Sequence, residues 1–185
     1  MPFNSNPKSV SIFGVTGSVG TSAQEVIMLN KDNFIVDTIV SNNNVKALIK
    51  AAILLNPKQV IIRNKEKFSE LKEALGNYNF ILLFGDNNIL ESSKRNVDIF
   101  VAAIAGYAGL ISTYSSIGNV KIIALANKES LVCAGPIFLK KAKNNNSKII
   151  PIDSEHNTLF QILSGYRSDN ISKMIITASG GPFRG

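Results

Sequence analysis

Short, continuously apolar runs alternate with longer segments that are apolar on one helical face, and this alternation decides the fold class. SVSIFG (9–14), FIVDTIVS (34–41), QVIIR (59–63), NFILLFG (79–85), VDIFVAAI (97–104), VKIIAL (120–125) and SKIIPID (147–153) read as strands, with ISKMIITAS (171–179) as one more. Their unbroken Ile, Val and Phe content suits strands buried on both faces. Residues 19–30, 44–56, 65–76, 107–117 and 128–143 read as helices. Gly76 reads as a stop signal, and Pro136 must kink or split the last helix. Such a chain is α/β: a Rossmann-like, doubly wound, mostly parallel sheet, followed from about residue 151 by the start of a second α/β domain, where the alternation loses its regularity.

Composition narrows the field further. The chain has 185 residues, 45% of them hydrophobic, which suits one well-buried domain with a small extension. No apolar run reaches the roughly 18 residues of a membrane span, and MPFNSNPKSV has no apolar signal core. The expectation is a cytoplasmic protein without a membrane partner. The single cysteine, Cys133, excludes an intrachain disulfide framework; its helical context reads as core rather than nucleophile. The net charge of +7 is spread out, and its densest cluster, LKKAKNNNSK (139–148), has no interleaved aromatics. It reads as a solvated helix end, not a nucleic-acid groove.

SIFGVTGSVGTSAQEVI places Gly14, Gly17 and Gly20 between the first strand and the first helix. Glycines here permit a tight turn and let backbone approach a pyrophosphate, while the helix N-terminus offers free N–H groups. The G-x-x-G-x-x-G spacing in a strand–turn–helix context favours dinucleotide binding over an ordinary turn. The end of the second strand, TIVSNNNVK (38–46), lacks the acid that would bind a ribose 2′-hydroxyl. Ser41, Asn42, Asn43 and Asn44, with Lys46 nearby, instead favour a 2′-phosphate, hence NADP; Asn44 also fits a helix N-cap.

Three further stretches follow apolar strands and should gather at the carboxyl ends of the sheet: LANKESL (125–131), PIDSEHN (151–157) and TASGGPFRG (177–185). In an extended segment Asp153 and Glu155 point the same way, and two adjacent carboxylates repel unless they share a proton or a cation, for which hard oxygen ligands suit Mg²⁺ or Mn²⁺. The same residues fit a helix N-cap with an acid in the first turn. Two carboxylates fall short of a complete metal site. The lone His156 reads as structural. Lys128 sits at a helix start, where the dipole disfavours it, which points to a phosphate or a substrate hydroxyl. Ser179, in a small Gly-rich loop, fits either a phosphate contact or an ordinary turn.

Taken in order, GVTGSVG, ALANKESLV, PIDSEHN and TASGGPFR resemble the 1-deoxy-D-xylulose 5-phosphate reductoisomerase family over essentially the whole chain, NKESLV and DSEHN being the most specific. The resemblance implies an NADPH- and divalent-metal-dependent enzyme that rearranges and reduces 1-deoxy-D-xylulose 5-phosphate to 2-C-methyl-D-erythritol 4-phosphate. By family match, Thr16, Gly17, Ser18 and Val19 line the cofactor, Asn43 and Asn44 lie on its adenosine side, and Asn127 and Glu129 lie against it. Asp153 and Glu155 bind Mg²⁺ or Mn²⁺ and act with Lys128 in catalysis; Lys128, Ser154 and Ser179 contact the phosphorylated sugar. Residues 1–150 are then the NADPH-binding domain and 151–185 the beginning of a catalytic, metal-binding one. The resemblance also implies a homodimer in the full-length form, and a lid loop, a third metal carboxylate and a helical domain beyond GGPFR. A chain without them is expected to be inactive alone; the alternative is a non-catalytic NADP-binding fragment or interaction module. The family often carries a glycine and a basic residue where Asn42 and Asn43 stand, so discrimination for the 2′-phosphate is expected to be weaker.

Overall fold

The computed structural model describes residues 6–166 and 170–175. Seven strands form one sheet in the order β4-β3-β2-β1-β5-β6-β7: β1 (Lys8–Phe13), β2 (Phe34–Ser41), β3 (Gln59–Ile62), β4 (Ile81–Phe84), β5 (Val97–Ala102), β6 (Val120–Leu125) and β7 (Lys148–Pro151). Every neighbouring pair is parallel. The helices between them are α1 (Ser18–Leu29), α2 (Val45–Leu55), α3 (Phe68–Leu75), α4 (Gly85–Ser93), α5 (Leu110–Ser116), α6 (Lys128–Asn144) and α7 (Ser154–Leu163). The strand order reverses direction beside β1, and such a switch point opens a crevice at the carboxyl ends of the strands.

The two faces of the sheet follow from strand alternation. Val10 and Ile12 pack on one side with Ile27, Leu48, Ala52, Leu71 and Leu75, so α1, α2 and α3 cover that face. Phe13 and Phe100 point to the other side, their ring centroids 4.5 Å apart, and pack with Ile89, Ile123, Phe138 and Ala142 from the α4–α6 side. Burial on both faces explains the unbroken apolar runs.

The expected doubly wound architecture is present, and wholly parallel. Four local expectations need correction. No helix is expected over residues 85–93, yet GDNNILESS forms α4; Gly85, at φ +83°, opens that helix rather than closing the strand expected over 79–85. The strand expected over 171–179 is not formed over residues 171–175, and 176–179 lie outside the described residues. Cys133 is exposed rather than in the core. The segment carrying Asp153 and Glu155 is not extended: β7 stops at Pro151, and α7 begins at Ser154. Pro136 acts as expected, with the break falling at Ala134 (φ −143°, ψ 24°) inside α6.

Two contacts fix the sheet near β1. At the carboxyl end, the Gly14 and Val15 N–H groups both donate to the Val40 carbonyl at 2.9 Å. Gly14 sits at φ +99°, and a Cβ there would lie 2.3 Å from the Ala103 carbonyl oxygen, so only glycine fits. At the amino end, Asp98 accepts from the Ser9 N–H and hydroxyl, both at 2.9 Å, and from Lys121 Nζ at 2.7 Å. Lys121 first, then Ser9, hold its pKa down at about 2.

Gly14→Ala should destabilise the fold by about 3 kcal/mol in urea unfolding, combining overpacking with a disfavoured φ. Gly17→Ala, whose added Cβ meets its nearest atom at an ordinary 3.5 Å, should cost only about 1 kcal/mol, the difference between glycine and alanine as N-cap. The Asp98 contribution is present above the unfolded carboxyl pKa of roughly 4 and is lost as pH falls toward the folded value of about 2. Asp98→Asn should therefore be less stable at neutral pH, and its unfolding midpoint should fall less than the native one across that acid window.

Candidate functional site

The turn from β1 into α1 is built to receive an anion. Gly17 is the N-cap, α1 has no side-chain cap, and its first turn carries no acid. Its leading N–H groups are thus left without a side-chain acceptor at an exposed start. The Thr16 and Ser41 hydroxyls lie 2.8 Å apart, joining this turn to the end of β2. A cleft of about 270 Å³ runs here, lined by Gly14, Thr16, Gly17, Ser41, Asn42 and Arg63 among others.

The residues expected at the cofactor do not all meet in that cleft. Ser18 and Val19 line a separate apolar groove of about 450 Å³ with Val101, Ala124 and Ile152, on the other flank of the α1 start. Asn43 is exposed, while Asn44 caps α2 by accepting from the Ala47 N–H at 3.1 Å. Asn127 is 3% exposed. Its side chain accepts from the Ser130 N–H at 3.2 Å and donates to the Gly106 carbonyl at 2.8 Å, so it caps α6 and pins the loop after β5. Gly109 is required beside it, because a Cβ there would come within 2.5 Å of Asn127 Nδ2. Glu129 is exposed in the first turn of α6.

A third cleft, of about 420 Å³, brings Lys128 together with Asp153 and His156 against an apolar wall of Leu131, Val132 and Ile149. Asp153 is the N-cap of α7; its carboxylate accepts from the His156 N–H at 3.3 Å and lies 2.8 Å from His156 Nδ1. Glu155 and Ser154 occupy the first turn of α7, both exposed. The cap and the pair of acids therefore coincide at one helix start. Among the described residues no group of three or more His, Cys, Asp and Glu gathers as a metal site. Ser179 lies outside the described residues.

Arg63, which the sequence reading did not single out, emerges from this geometry. It follows the last residue of a short strand, and nothing in QVIIRN marks its side chain as more than a surface arginine.

Comparisons with known proteins place the chain in a family. The profile of 1-deoxy-D-xylulose 5-phosphate reductoisomerase matches residues 10–135, and that of the same enzyme's C-terminal domain matches residues 149–185. This chain belongs to the 1-deoxy-D-xylulose 5-phosphate reductoisomerase family. The reductoisomerase of Rhodopseudomonas palustris (strain BisB18) is 41% identical over 180 residues, which are 97% of this chain and 44% of that protein. The solved reductoisomerase of Zymomonas mobilis in complex with NADPH superposes with a TM-score of 0.89 at 39% identity, covering 97% of this chain and 48% of that one. Another solved reductoisomerase, in complex with NADPH, fosmidomycin and magnesium, is 36% identical with a TM-score of 0.77, covering 83% of this chain and 38% of its own. The chain thus spans about half the length of the reductoisomerases it matches.

The caps predict a graded response. Asn127→Ala removes both a helix cap and a buried loop bond and should cost about 2 kcal/mol in urea unfolding. Asp153→Ala removes the cap of an exposed helix and the contact with His156 Nδ1, and should cost about 1 kcal/mol.

Proposed function

We propose that this chain forms the NADPH-holding part, and the first portion of the metal and substrate site, of a reductoisomerase that converts 1-deoxy-D-xylulose 5-phosphate to 2-C-methyl-D-erythritol 4-phosphate. The observation that carries the reading is the uncapped, acid-free start of α1 behind the glycine turn, at the point where strand order reverses. That arrangement suits a pyrophosphate, and family membership supports the identity of the dinucleotide. NADPH supplies a hydride when bound, and a divalent cation supplies Lewis acidity.

The chain's own residues have definable tasks. The α1 N–H groups, with Thr16 and Ser18, hold the pyrophosphate; Gly17 keeps the approach free of side chain. Val19 presents an apolar surface on the flank that leads to Ala124 and Ile152. Asn127 acts by positioning: its two hydrogen bonds fix the start of α6, and with it the Lys128 ammonium and the Glu129 carboxylate. Lys128 places a positive charge in the cleft that Asp153 shares, which suits a phosphorylated, oxygen-rich substrate. Asp153 and Glu155 are hard oxygen donors on one helix start and fit Mg²⁺ or Mn²⁺ as part of a donor set. His156 holds Asp153 in place through its Nδ1 contact. Residues 151–185, where α7 begins, would open the catalytic part.

The test uses a substitution that helps folding while opposing the ligand. Gly17→Asp adds a favourable N-cap to α1 and sets a carboxylate where the pyrophosphate would lie. NADPH binding, followed by fluorescence titration of the chain, should weaken at least about tenfold, with the unfolding midpoint equal or raised. NADPH affinity unchanged by the aspartate would overturn the reading.

A further inference from the structure

We infer that Arg63 is the cation that recognises the 2′-phosphate of the dinucleotide, in place of a basic residue at the end of β2. The inference rests on the dinucleotide reading above and deepens it by naming the group that separates NADPH from NADH.

The end of β2, Ser41-Asn42-Asn43-Asn44, offers hydroxyl and amide groups but no charge of either sign. No carboxylate is there to select a free ribose 2′-hydroxyl, and no lysine or arginine to select a 2′-phosphate. A phosphate dianion held only by neutral groups in a partly enclosed cleft would be poorly compensated. Lys46, next along the chain, is on α2 and is not among the residues lining this cleft.

β3 lies beside β2, and the two strand ends are laced together. The Arg63 N–H donates to the Ser41 carbonyl at 2.8 Å, and the Asn64 N–H donates to the Asn42 carbonyl at 3.0 Å. These bonds fix the Arg63 backbone beside the ribose-side loop. Its side chain lines the cleft shared by Gly14, Thr16, Ser41 and Asn42, and it is the one cation among the residues lining it. The 2′-phosphate of a dinucleotide whose pyrophosphate sits on α1 falls on the β2 side of the turn, within this cleft.

The guanidinium is held in an exchangeable way. Its Nε donates to Asp86 Oδ1 at 2.6 Å and its Nη2 to Oδ2 at 3.3 Å. The side chains are 41% and 70% exposed, so this pair adds little stability. It does keep the fork oriented at the cleft edge, and arginine's planar donor pairs match phosphate oxygens two at a time. A phosphate dianion competes effectively with one solvated carboxylate for that fork.

The experiment compares NADPH with NADH, and 2′,5′-ADP with 5′-AMP, by titration against the native chain, Arg63→Gln and Arg63→Lys. Arg63→Gln should weaken NADPH and 2′,5′-ADP by about 30-fold and leave NADH and 5′-AMP unchanged. Arg63→Lys should fall between, because it keeps the charge and loses the two-pronged geometry. Equal affinity of native and Arg63→Gln chains for NADPH, or equal losses for NADPH and NADH, would overturn the assignment while leaving the dinucleotide reading intact. If the native chain bound none of the four, the dinucleotide reading itself would fall and the role of Arg63 with it.

Discussion

The turn after β1 holds this structure together. Two consecutive N–H groups, from Gly14 and Val15, converge on the single Val40 carbonyl, and the Gly14 Cα passes so close to Ala103 that no side chain fits between them. One residue thereby joins β1 to both of its sheet neighbours at the point where strand order reverses. The start of α1 is aimed over the crevice as a consequence. A Cβ on Gly20 would meet the Gly14 carbonyl oxygen at 2.2 Å, so the helix also lies directly on the turn. Packing and ligand approach therefore draw on the same glycines, and the two demands need not be separated to explain why those residues stand there.

The sheet was legible because each of its strands is apolar on both faces, and period and length then distinguish strand from helix. The breaks were less legible. GDNNILESS has turn residues at its head, and its few apolar positions bury only Ile89 with small serines, so α4 leaves almost no amphipathic trace. Cys133 sits in an apolar stretch just before the break at Ala134, yet it faces out, as does Val132 at 85% exposed. Asp153 and Glu155 were marked as a pair on the expectation of an extended segment, and their geometry depended on whether β7 continued past Pro151. The strand ends there and Asp153 caps α7, a role visible in the residue type but not separable from ligation by spacing alone.

The glycine turn was apparent from its strand–turn–helix context, whereas the NKES and DSEH stretches stood out through their resemblance to family motifs. Asn127 was marked for its place in a motif, and its double hydrogen bond to Ser130 and Gly106 could not be anticipated, since Gly106 lies 21 positions away in sequence. Arg63 was missed for the same reason: its place beside Ser41 is set by a pair of interstrand backbone bonds, and these leave no mark on the residues that make them.

The interruption of α6 has a structural consequence beyond its effect on Cys133. A continuous helix transmits any shift of one end to the other, because each turn is bonded to the next. At Ala134 and Pro136 that ladder is cut. The half that begins at Lys128 takes its bearing from Asn127, whereas the later half is moored by the burial of Phe138 and Ala142. Lys128 is therefore insulated from displacements along the Lys-rich stretch that ends the helix. The far end is fixed locally instead: Asn145 caps α6 with its side chain donating to the Lys141 carbonyl at 2.8 Å, and Asn146 takes the left-handed turn at φ 55°.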